Sequence, residues 1–288
     1  MLSPFTVQWN INPDAFLLDP FHIRYYGLMF IAAFAAGTYI FWRIIKHEGL
    51  PKSLLIRLLN VVFLSTIVGA RVGDCLFYFP EYYLKHPWQI FFPFVDGKFI
   101  GFQGLSSHGA AIGLLAGLYL FSRSIKLSYM WLLDRMVIAI ALAGFFIRIG
   151  NLMNSEIYGT VTSLPWGFIF VQKGEALPRH PTQIYEALAY LSIFFLLLYL
   201  LHLYLKWSKK LPSGILLGLF LVLTFTFRFF IEYIKAPQVA SEDDMILHIG
   251  QALSLPFIFT GAVILMTAVM RSDLKTHPKE NDINITNV

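Results

Sequence analysis

The feature that most constrains the fold is a series of seven runs without a single Asp, Glu, Lys or Arg. They cover residues 25–42, 58–70, 99–122, 136–147, 187–205, 211–227 and 245–270. A helix needs about 20 mostly apolar residues to cross a hydrocarbon core of about 30 Å. The longer runs meet this length, and the shorter ones meet it once a terminal Arg or Asp is included. The strands of a membrane barrel would be shorter and would alternate in polarity.

The sequence therefore predicts an all-α integral membrane protein. About seven transmembrane helices are expected, at roughly 23–44, 56–79, 103–122, 131–152, 184–205, 213–234 and 248–270. The composition agrees, because 57% of the residues are hydrophobic, 14% are charged and the mean hydropathy is +0.64. No internal repeat or long Ser, Gly or Pro linker divides the chain, so we expect one membrane domain over residues 1–288.

Charges outside the runs indicate which way the helices cross the membrane. One side would carry 13 of the 22 Lys and Arg residues and five of the 17 Asp and Glu residues, a balance of +8, and the other side has −3. Because an excess of Lys and Arg marks the cytoplasmic side, we expect the N-terminus outside and the polar tail, 271–288, in the cytoplasm. The outward segment 153–183 is long and contains interfacial aromatics, so it is expected to form a small extracytoplasmic head.

Several function classes receive no support from the sequence. Cys75 is the one cysteine, so it has no partner for a disulfide or a thiolate metal pair, and we interpret it as a packing residue. The chain lacks a Gly-rich phosphate loop, an H-E-x-x-H pair and a G-x-S-x-G turn. It also lacks a basic-aromatic stripe for nucleic acid. We therefore expect neither a metal nor another cofactor, and no nucleic-acid partner.

Polar groups collect at the outward ends of the predicted helices, where each must snorkel, pair or serve a function. They are Arg24, Arg71, Arg148 and Arg228 with His108, Asn151, Asn154, Glu156, Glu186 and Glu232. Snorkelling to lipid headgroups would explain any single arginine. Random snorkelling would populate the inner ends as well, so a shared polar site is favoured, with guanidiniums that grip a phosphate.

Three of these expectations concern particular contacts. Arg228 and Glu232 are four residues apart and would share one helix face. Asp134, at the opposite end of the fourth helix, is interpreted as a local pair with Arg135. Glu186 fits structural pairing as well as function and is left out of the catalytic set.

Two classes of protein fit an outward anion site. One is an enzyme that acts on phospholipid headgroups, and the other is an outward-facing anion or lipid transporter or receptor. Transporters commonly break helices at mid-membrane and contain internal repeats, so the enzyme is favoured. Composition and spacing do not identify a reaction.

Six motifs carry a resemblance to a known family. They are R24-Y-Y-G, G69-A-R-V-G, H108-G, R148-I-G-N-L-M-N-S-E-I-Y-G159, R179-H-P-T-Q-I-Y-E186 and R228-F-F-I-E232. In this order, over about residues 22–266, the chain resembles the bacterial phosphatidylglycerol–prolipoprotein diacylglyceryl transferase family. It departs from the usual pattern at Ile147, Ser155 and Ala110, where the family has Gly.

The resemblance implies a multi-pass enzyme of the bacterial inner membrane whose active site faces outward. Such an enzyme transfers the sn-1,2-diacylglyceryl group of phosphatidylglycerol to the lipobox cysteine of a prolipoprotein signal peptide and releases glycerol phosphate. The implied catalytic residues are Tyr26, His108, Asn151, Arg228 and Glu232, and the implied phosphatidylglycerol-binding residues are Arg148, Glu156, Gly159 and again Arg228.

Each residue has an expected role in this chemistry. His108 is the candidate base, because a thiol of pKa about 8.5 is mostly protonated at neutral pH. Arg148 and Arg228 would stabilise charge on the departing phosphate. Glu232 would orient Arg228, and Glu156 would orient Arg148 or the headgroup. Asn151 and Tyr26 would donate hydrogen bonds. Gly159 is expected to provide a backbone conformation that other residues avoid.

Overall fold

Seven long helices and three short sheets make up the described part of the chain. The computed structural model describes residues 6–18, 21–92, 94–95, 98–99, 104, 106–206, 211–237 and 247–270. The predicted tail, 271–288, lies outside the described residues. The helices are α1 Tyr25–His47, α2 Lys52–Tyr78, the short α3 Pro80–Tyr83, α4 Ser107–Ser124, α5 Tyr129–Met153, α6 Thr182–Lys206, α7 Ile215–Ile231 and α8 Ile249–Met270.

These helices agree with the predicted segments to within a few residues, and the all-α membrane class is confirmed. In the described ranges, six helices are long and apolar enough to cross a membrane: α1, α2, α5, α6, α8 and the segment Ile215–Ile234, which contains α7. Helix α4 has 18 residues, and its glycines, serines and His108 make it less apolar. The number of spans, seven, and their orientation stay predictions.

The described residues form two compact units, divided at Phe41 and again at Leu133. The first unit contains most of α1, most of α5, and α6 to α8. The second unit contains α2 to α4. The prediction of one membrane domain stays a prediction.

In the first unit, a small sheet joins the N-terminal residues to the predicted head segment. Strand β1 Val7–Trp9 pairs in parallel with β6 Phe168–Phe170. Trp9 Nε1 also donates a hydrogen bond of 3.0 Å to the carbonyl of Leu152, at the end of α5. Strands β2 Asp14–Leu18 and β3 Phe21–Arg24 form an antiparallel hairpin that leads into α1. The head segment 153–183 is therefore connected to the N-terminal residues by β-sheet hydrogen bonds.

The N-terminus of helix α7 is capped by a side chain from another helix. Gly214, the residue before α7, has no side chain to accept from the first turn. Asp134 of α5 takes this part, because its two carboxylate oxygens accept from Gly214 N at 2.7 Å and Leu217 N at 2.9 Å. Asp134 is fully buried. It therefore caps α7, and its interpretation as a local surface pair with Arg135 was wrong.

In the second unit, α2 and α4 pack with almost no side chain between them. Ser65, Gly69 and Gly73 follow each other at four-residue spacing on α2, and Gly109, Gly113 and Gly117 do so on α4. A methyl group added at Gly69 would lie 2.5 Å from the carbonyl oxygen of Gly109 and 2.6 Å from the Cα of Gly113. Such small-residue rows let helix backbones touch where lipid provides no hydrophobic driving force. Strands β4 Phe94–Val95 and β5 Lys98–Phe99 of this unit pair in antiparallel orientation.

Candidate active site

Four buried charged side chains of the first unit form a continuous chain of ion pairs. Arg148 Nε on α5 lies 3.2 Å from Glu186 Oε2 on α6. Lys235 Nζ donates to Glu186 Oε1 at 3.0 Å and lies 3.5 Å from Glu232 Oε2. At most 12% of any of these four side chains is exposed. Cations and carboxylates alternate along the chain, so its formal net charge is zero.

Arg148 is held on two edges of its guanidinium. Nε faces Glu186, and Nη1 donates to Asn151 Oδ1 at 3.4 Å, within the same helix. Tyr190 of α6 also interacts electrostatically with Arg148. A guanidinium has five N–H groups in one plane. Donors therefore remain after these contacts, and they point in directions that the protein has fixed.

Glu232 lies where α7 tightens into a short 3-10 helix, Glu232–Ile234. Its carboxylate faces Lys235 and the first turn of α8, where a methyl group on Gly250 would collide with it. Glu232 does not form an ion pair with Arg228, so the expectation that it orients Arg228 directly was wrong. The backbone N–H of Glu232 still donates to the carbonyl of Arg228, so the two residues are on one helix face, but the Glu232 carboxylate pairs with Lys235 instead.

Arg228 is half-buried near the end of α7. Within the part of the chain that the structure describes, its guanidinium makes no hydrogen bond or ion pair. An arginine without a charged partner among the described residues is a candidate for binding an anionic ligand.

The loop after α5 carries unusual backbone conformations. Ser155 and Ile157 have positive φ angles of 52° and 58°, which are rare for residues other than Gly and strained for a β-branched residue. Between them, Glu156 accepts from Asn154 Nδ2 at 3.2 Å, and its carbonyl accepts from Gln183 Nε2 at 2.6 Å. Glu156 thus contacts Asn154 and not Arg148 in the described structure, and its alternative role, orienting the headgroup, stays a prediction.

Gly159 is required by crowding. A methyl group at this position would lie 2.5 Å from the carbonyl oxygen of Ile234 and 2.6 Å from the Cβ of His180. Its N–H donates to the carbonyl of His180 at 2.8 Å, and it forms an isolated β-bridge with Lys235. The expected reason, a backbone conformation reserved for glycine, was wrong, because the φ angle of Gly159 is outside the left-handed region.

Tyr26, in the first turn of α1, packs its ring against α5. A methyl group on Gly150 would lie 2.9 Å from the Tyr26 ring. Gly150 stands between Arg148 and Asn151 in sequence, so the first unit places Tyr26, Arg148 and Asn151 around the same turn of α5.

Two of the four arginines that were predicted to lie outward are occupied by structural contacts. Arg71, in the second unit, donates to the carbonyls of Ile90 and Gln89 and to the hydroxyl of Tyr83. Its buried guanidinium ties α2 to the segment that follows, and these contacts leave it poorly suited to a phosphate. Arg24 is exposed and pairs with Asp14 across the β2–β3 hairpin at 3.5 Å.

His108 belongs to the second unit, where it is the second residue of α4. Ser106 caps this helix by accepting from Gly109 N at 3.3 Å. His108 itself is exposed.

A second ionic cluster lies in the head segment. Glu175 is 2.7 Å from Arg179 Nε and accepts from the hydroxyl of Tyr158 at 2.8 Å. Burial alone would raise the pKa of Glu175, but the contacts with Arg179 and Tyr158 outweigh it and lower that pKa. Burial also lowers the pKa of His180.

Sequence reasoning missed Lys235 and set Glu186 aside. Glu186 stands at the end of the motif R179-H-P-T-Q-I-Y-E, so its place in that motif was the available indication. Lys235 follows Glu232 by three residues, in a segment expected to be an ordinary outward loop, and nothing local to the sequence indicates that it is buried. In the described ranges, no three His, Cys, Asp or Glu side chains cluster as metal ligands would.

Comparison with known proteins gives one family. The family model described as prolipoprotein diacylglyceryl transferase matches residues 13–267. The phosphatidylglycerol–prolipoprotein diacylglyceryl transferase of Bacteroides fragilis is 42% identical over 265 residues, which cover 89% of this chain and 93% of that protein. The enzymes of the same name from Tolumonas auensis and Chloroherpeton thalassium are 43% identical over 259 residues and 38% identical over 271 residues. These matches cover 90% and 93% of this chain and 96% and 97% of those proteins.

Proposed function

This chain belongs to the prolipoprotein diacylglyceryl transferase family, and on that premise we propose that it modifies the lipobox cysteine of prolipoprotein signal peptides. It is a membrane transferase that moves a diacylglyceryl group from phosphatidylglycerol to a prolipoprotein. Nothing in the described structure favours the transporter considered from composition. We place the enzyme in the bacterial inner membrane with its active site outside, which the charge asymmetry supports.

The reaction exchanges one bond for another at a single carbon. The cysteine sulfur attacks the glycerol carbon that bears the phosphate oxygen, so a C–S bond forms as the C–O bond breaks. The electron pair of the broken bond leaves with glycerol phosphate, and the thiol proton passes to a base. The developing negative charge on the phosphate is what the protein must stabilise.

The observation that carries the assignment of the site is the restrained guanidinium of Arg148. Glu186 and Asn151 hold two of its edges at 3.2 and 3.4 Å, and the remaining N–H donors are oriented before a ligand arrives. Fixed donors stabilise a developing charge without reorganising during the reaction. Arg228, without an ion-pair partner among the described residues, supplies the second cation for the same phosphate.

The remaining residues of the first unit have supporting roles. Asn151, on the same turn of α5 as Arg148, and Tyr26, whose ring packs against that turn at Gly150, donate hydrogen bonds to the phosphate or glycerol hydroxyls. Glu156, which Asn154 holds at 3.2 Å, accepts from the glycerol headgroup. Gly159 keeps the crossing of three backbone segments compact. Glu232 acts through Lys235.

His108 takes the thiol proton in this scheme. The support is chemical: the residue is exposed, and a neutral imidazole nitrogen can accept a proton from a donor such as a thiol. The head segment 153–183 helps to admit the signal peptide, which its length and the exposed Trp166 support. If deletion of most of this segment left peptide modification unchanged, its role would be wrong.

The direct test is a reconstituted reaction. Purified protein in detergent is incubated with phosphatidylglycerol and a synthetic lipobox peptide, and mass spectrometry detects a diacylglyceryl adduct on the cysteine. We expect the adduct with the native sequence and its loss in His108→Ala, Arg148→Ala and Arg228→Ala. Arg123→Ala, which removes an exposed arginine at the end of α4, is the matched control and should retain activity. Folded protein that binds phosphatidylglycerol and yields no adduct would refute the proposed function.

A further inference from the structure

The chain of buried charges behind Arg148 is longer than a simple ion pair requires. Glu186 is 1% exposed and Lys235 is 4% exposed. They form a direct hydrogen-bonded ion pair, in which Lys235 Nζ lies 3.0 Å from Glu186 Oε1. Lys and Glu are almost never fully buried unless they are paired. Two cations and two carboxylates are thus removed from solvent together.

Stability is a weak explanation for such a chain. Burying charges is expensive, and apolar residues of similar volume often replace a buried ion pair with no loss of stability. What a buried ion pair does supply is orientation. The pair fixes where each charged group points, because any rotation would leave a charge without its partner.

Orientation matters most for Arg148. Its guanidinium ends a flexible stem and could rotate about several bonds. The carboxylate of Glu186 faces the Nε edge and Asn151 accepts on the Nη1 side. Together these contacts restrict the plane of the guanidinium and leave its outer N–H groups for a ligand.

Lys235 is itself fixed by its backbone. Its N–H donates to the carbonyl of Glu232 at 3.3 Å, the next residue donates to the carbonyl of Tyr158 at 3.2 Å, and Gly159 forms a β-bridge with it. Its ammonium group can therefore hold Glu186 and Glu232 apart in defined places. Without Lys235, both carboxylates would compete for Arg148, which already interacts electrostatically with Glu232 as well as with Glu186.

We propose that Glu186 and Lys235 are positioning residues for the phosphate of phosphatidylglycerol: Glu186 fixes the rotation of the Arg148 guanidinium, and Lys235 fixes Glu186. This inference rests on the proposed function, because the phosphate of phosphatidylglycerol is taken as the ligand. Neither residue touches the lipid. Their loss therefore weakens recognition of the phosphate and leaves recognition of the peptide unchanged.

The test separates the two substrates. KM is measured for phosphatidylglycerol and for the lipobox peptide, and glycerol phosphate serves as a competitive inhibitor that reports on the phosphate site alone. The variants are Glu186→Gln, Glu186→Asp, Lys235→Met and Lys235→Arg. Glu186→Asp keeps the charge but shortens the side chain, so it cannot reach both Arg148 and Lys235, and it keeps the test valid if Glu186→Gln fails to fold.

Asp134→Asn is the matched control. It is the same replacement of a buried carboxylate, on the same helix as Arg148 but 14 residues earlier, about 21 Å along the axis of α5. It should lower the unfolding temperature without changing either KM.

The expected result is a parallel rise of the KM for phosphatidylglycerol and the inhibition constant of glycerol phosphate in both Glu186 variants and in Lys235→Met. Small misplacements of a positioned group cost up to about 100-fold, so we expect a rise of about 10-fold or more, largely restored in Lys235→Arg. Unchanged constants in folded Glu186 variants of an active enzyme would overturn the inference. The same rise in Asp134→Asn would overturn it too, by showing general destabilisation. If the native sequence yields no adduct at all, the proposed function itself fails.

Discussion

Replacing Arg148 by Lys tests whether the site needs the planar, forked set of guanidinium N–H donors or only a positive charge. In the described structure, the guanidinium forms an ion pair with Glu186 on one edge and donates a hydrogen bond to Asn151 on another. A lysine has one nitrogen on a flexible stem, and that nitrogen is a point charge. It can approach Glu186 or a phosphate, but it cannot hold the fixed two-edged geometry. Arg148→Lys should therefore keep the charge and lose the orientation.

The size of the effect follows from the contacts that are lost. A hydrogen bond to a charged group contributes about 1.5–3 kcal/mol net. If Lys loses one oriented donor to the phosphate in the transition state, the barrier rises by that amount. Since each 1.36 kcal/mol changes a rate tenfold, kcat/KM for phosphatidylglycerol should fall about 10- to 150-fold.

The assay is the initial rate of adduct formation at saturating peptide, with phosphatidylglycerol varied in mixed micelles. Arg123→Lys, an exposed site at the end of α4, provides the control for a general Arg-to-Lys effect. Thermal unfolding of each variant in detergent establishes that the protein is folded. Near-normal kcat/KM in folded Arg148→Lys would refute the reasoning, because charge alone would then be sufficient.

Three further predictions concern other parts of the first unit. Asp134→Ala removes the acceptor of two N–H groups at the start of α7 and should cost about 2–4 kcal/mol, seen as a lower unfolding temperature, with Asp134→Asn intermediate. Gly159→Ala forces apart backbone segments that leave no room for a methyl group, so the KM for phosphatidylglycerol should rise; an unchanged KM would contradict the crowding argument. The folded-state pKa of Glu175 is lowered from 4.5, so its stabilising effect on the head is complete above that pH and is lost as the pH falls through the folded pKa. Limited proteolysis should show this loss, and Glu175→Gln should abolish the pH dependence.

The helices could be predicted because lipid requires an apolar composition along each membrane-spanning segment, which is visible locally in the sequence. A segment that crosses lipid must be apolar throughout its length, so a charge-free run and a helix coincide. Helix α4 fits least well, since its glycines serve close packing against α2 and lower its hydropathy. Their four-residue spacing was visible in the sequence, but the partner row on α2 lies more than 30 residues away.

The roles of the site residues stay predictions, but the structure shows where some of them lie. Arg148 and Asn151 are on one turn of α5, and the ring of Tyr26 packs against Gly150 between them. The partners of the charged groups could not be deduced, because Glu186 and Lys235 are 49 residues apart and no local pattern couples them. The four-residue rule placed Arg228 and Glu232 on one helix face but did not give their contacts, because Glu232 pairs with Lys235 on the following turn.

Asp134 and Arg71 illustrate the same limit from the structural side. Both are charged groups at helix ends, and sequence alone gives each a local pair or a ligand. In the structure, Asp134 accepts from the start of α7, 80 residues away, and Arg71 donates to carbonyls 18 and 19 residues away. A buried charge is satisfied by whichever backbone groups the fold brings near, and those are set by tertiary packing.

Arg148→Lys and Glu186→Gln together provide a stricter test of the fork than either alone. If Glu186 acts only by orienting the guanidinium, it has nothing to orient once Lys replaces Arg148. The second substitution should then cost much less in the Arg148→Lys background than in the native one, which is strong coupling in a double-mutant cycle. Independent roles would instead give additive losses. Because the cycle compares differences in kcat/KM, a general loss of stability in either single variant cancels, and additivity would assign Glu186 a role separate from Arg148.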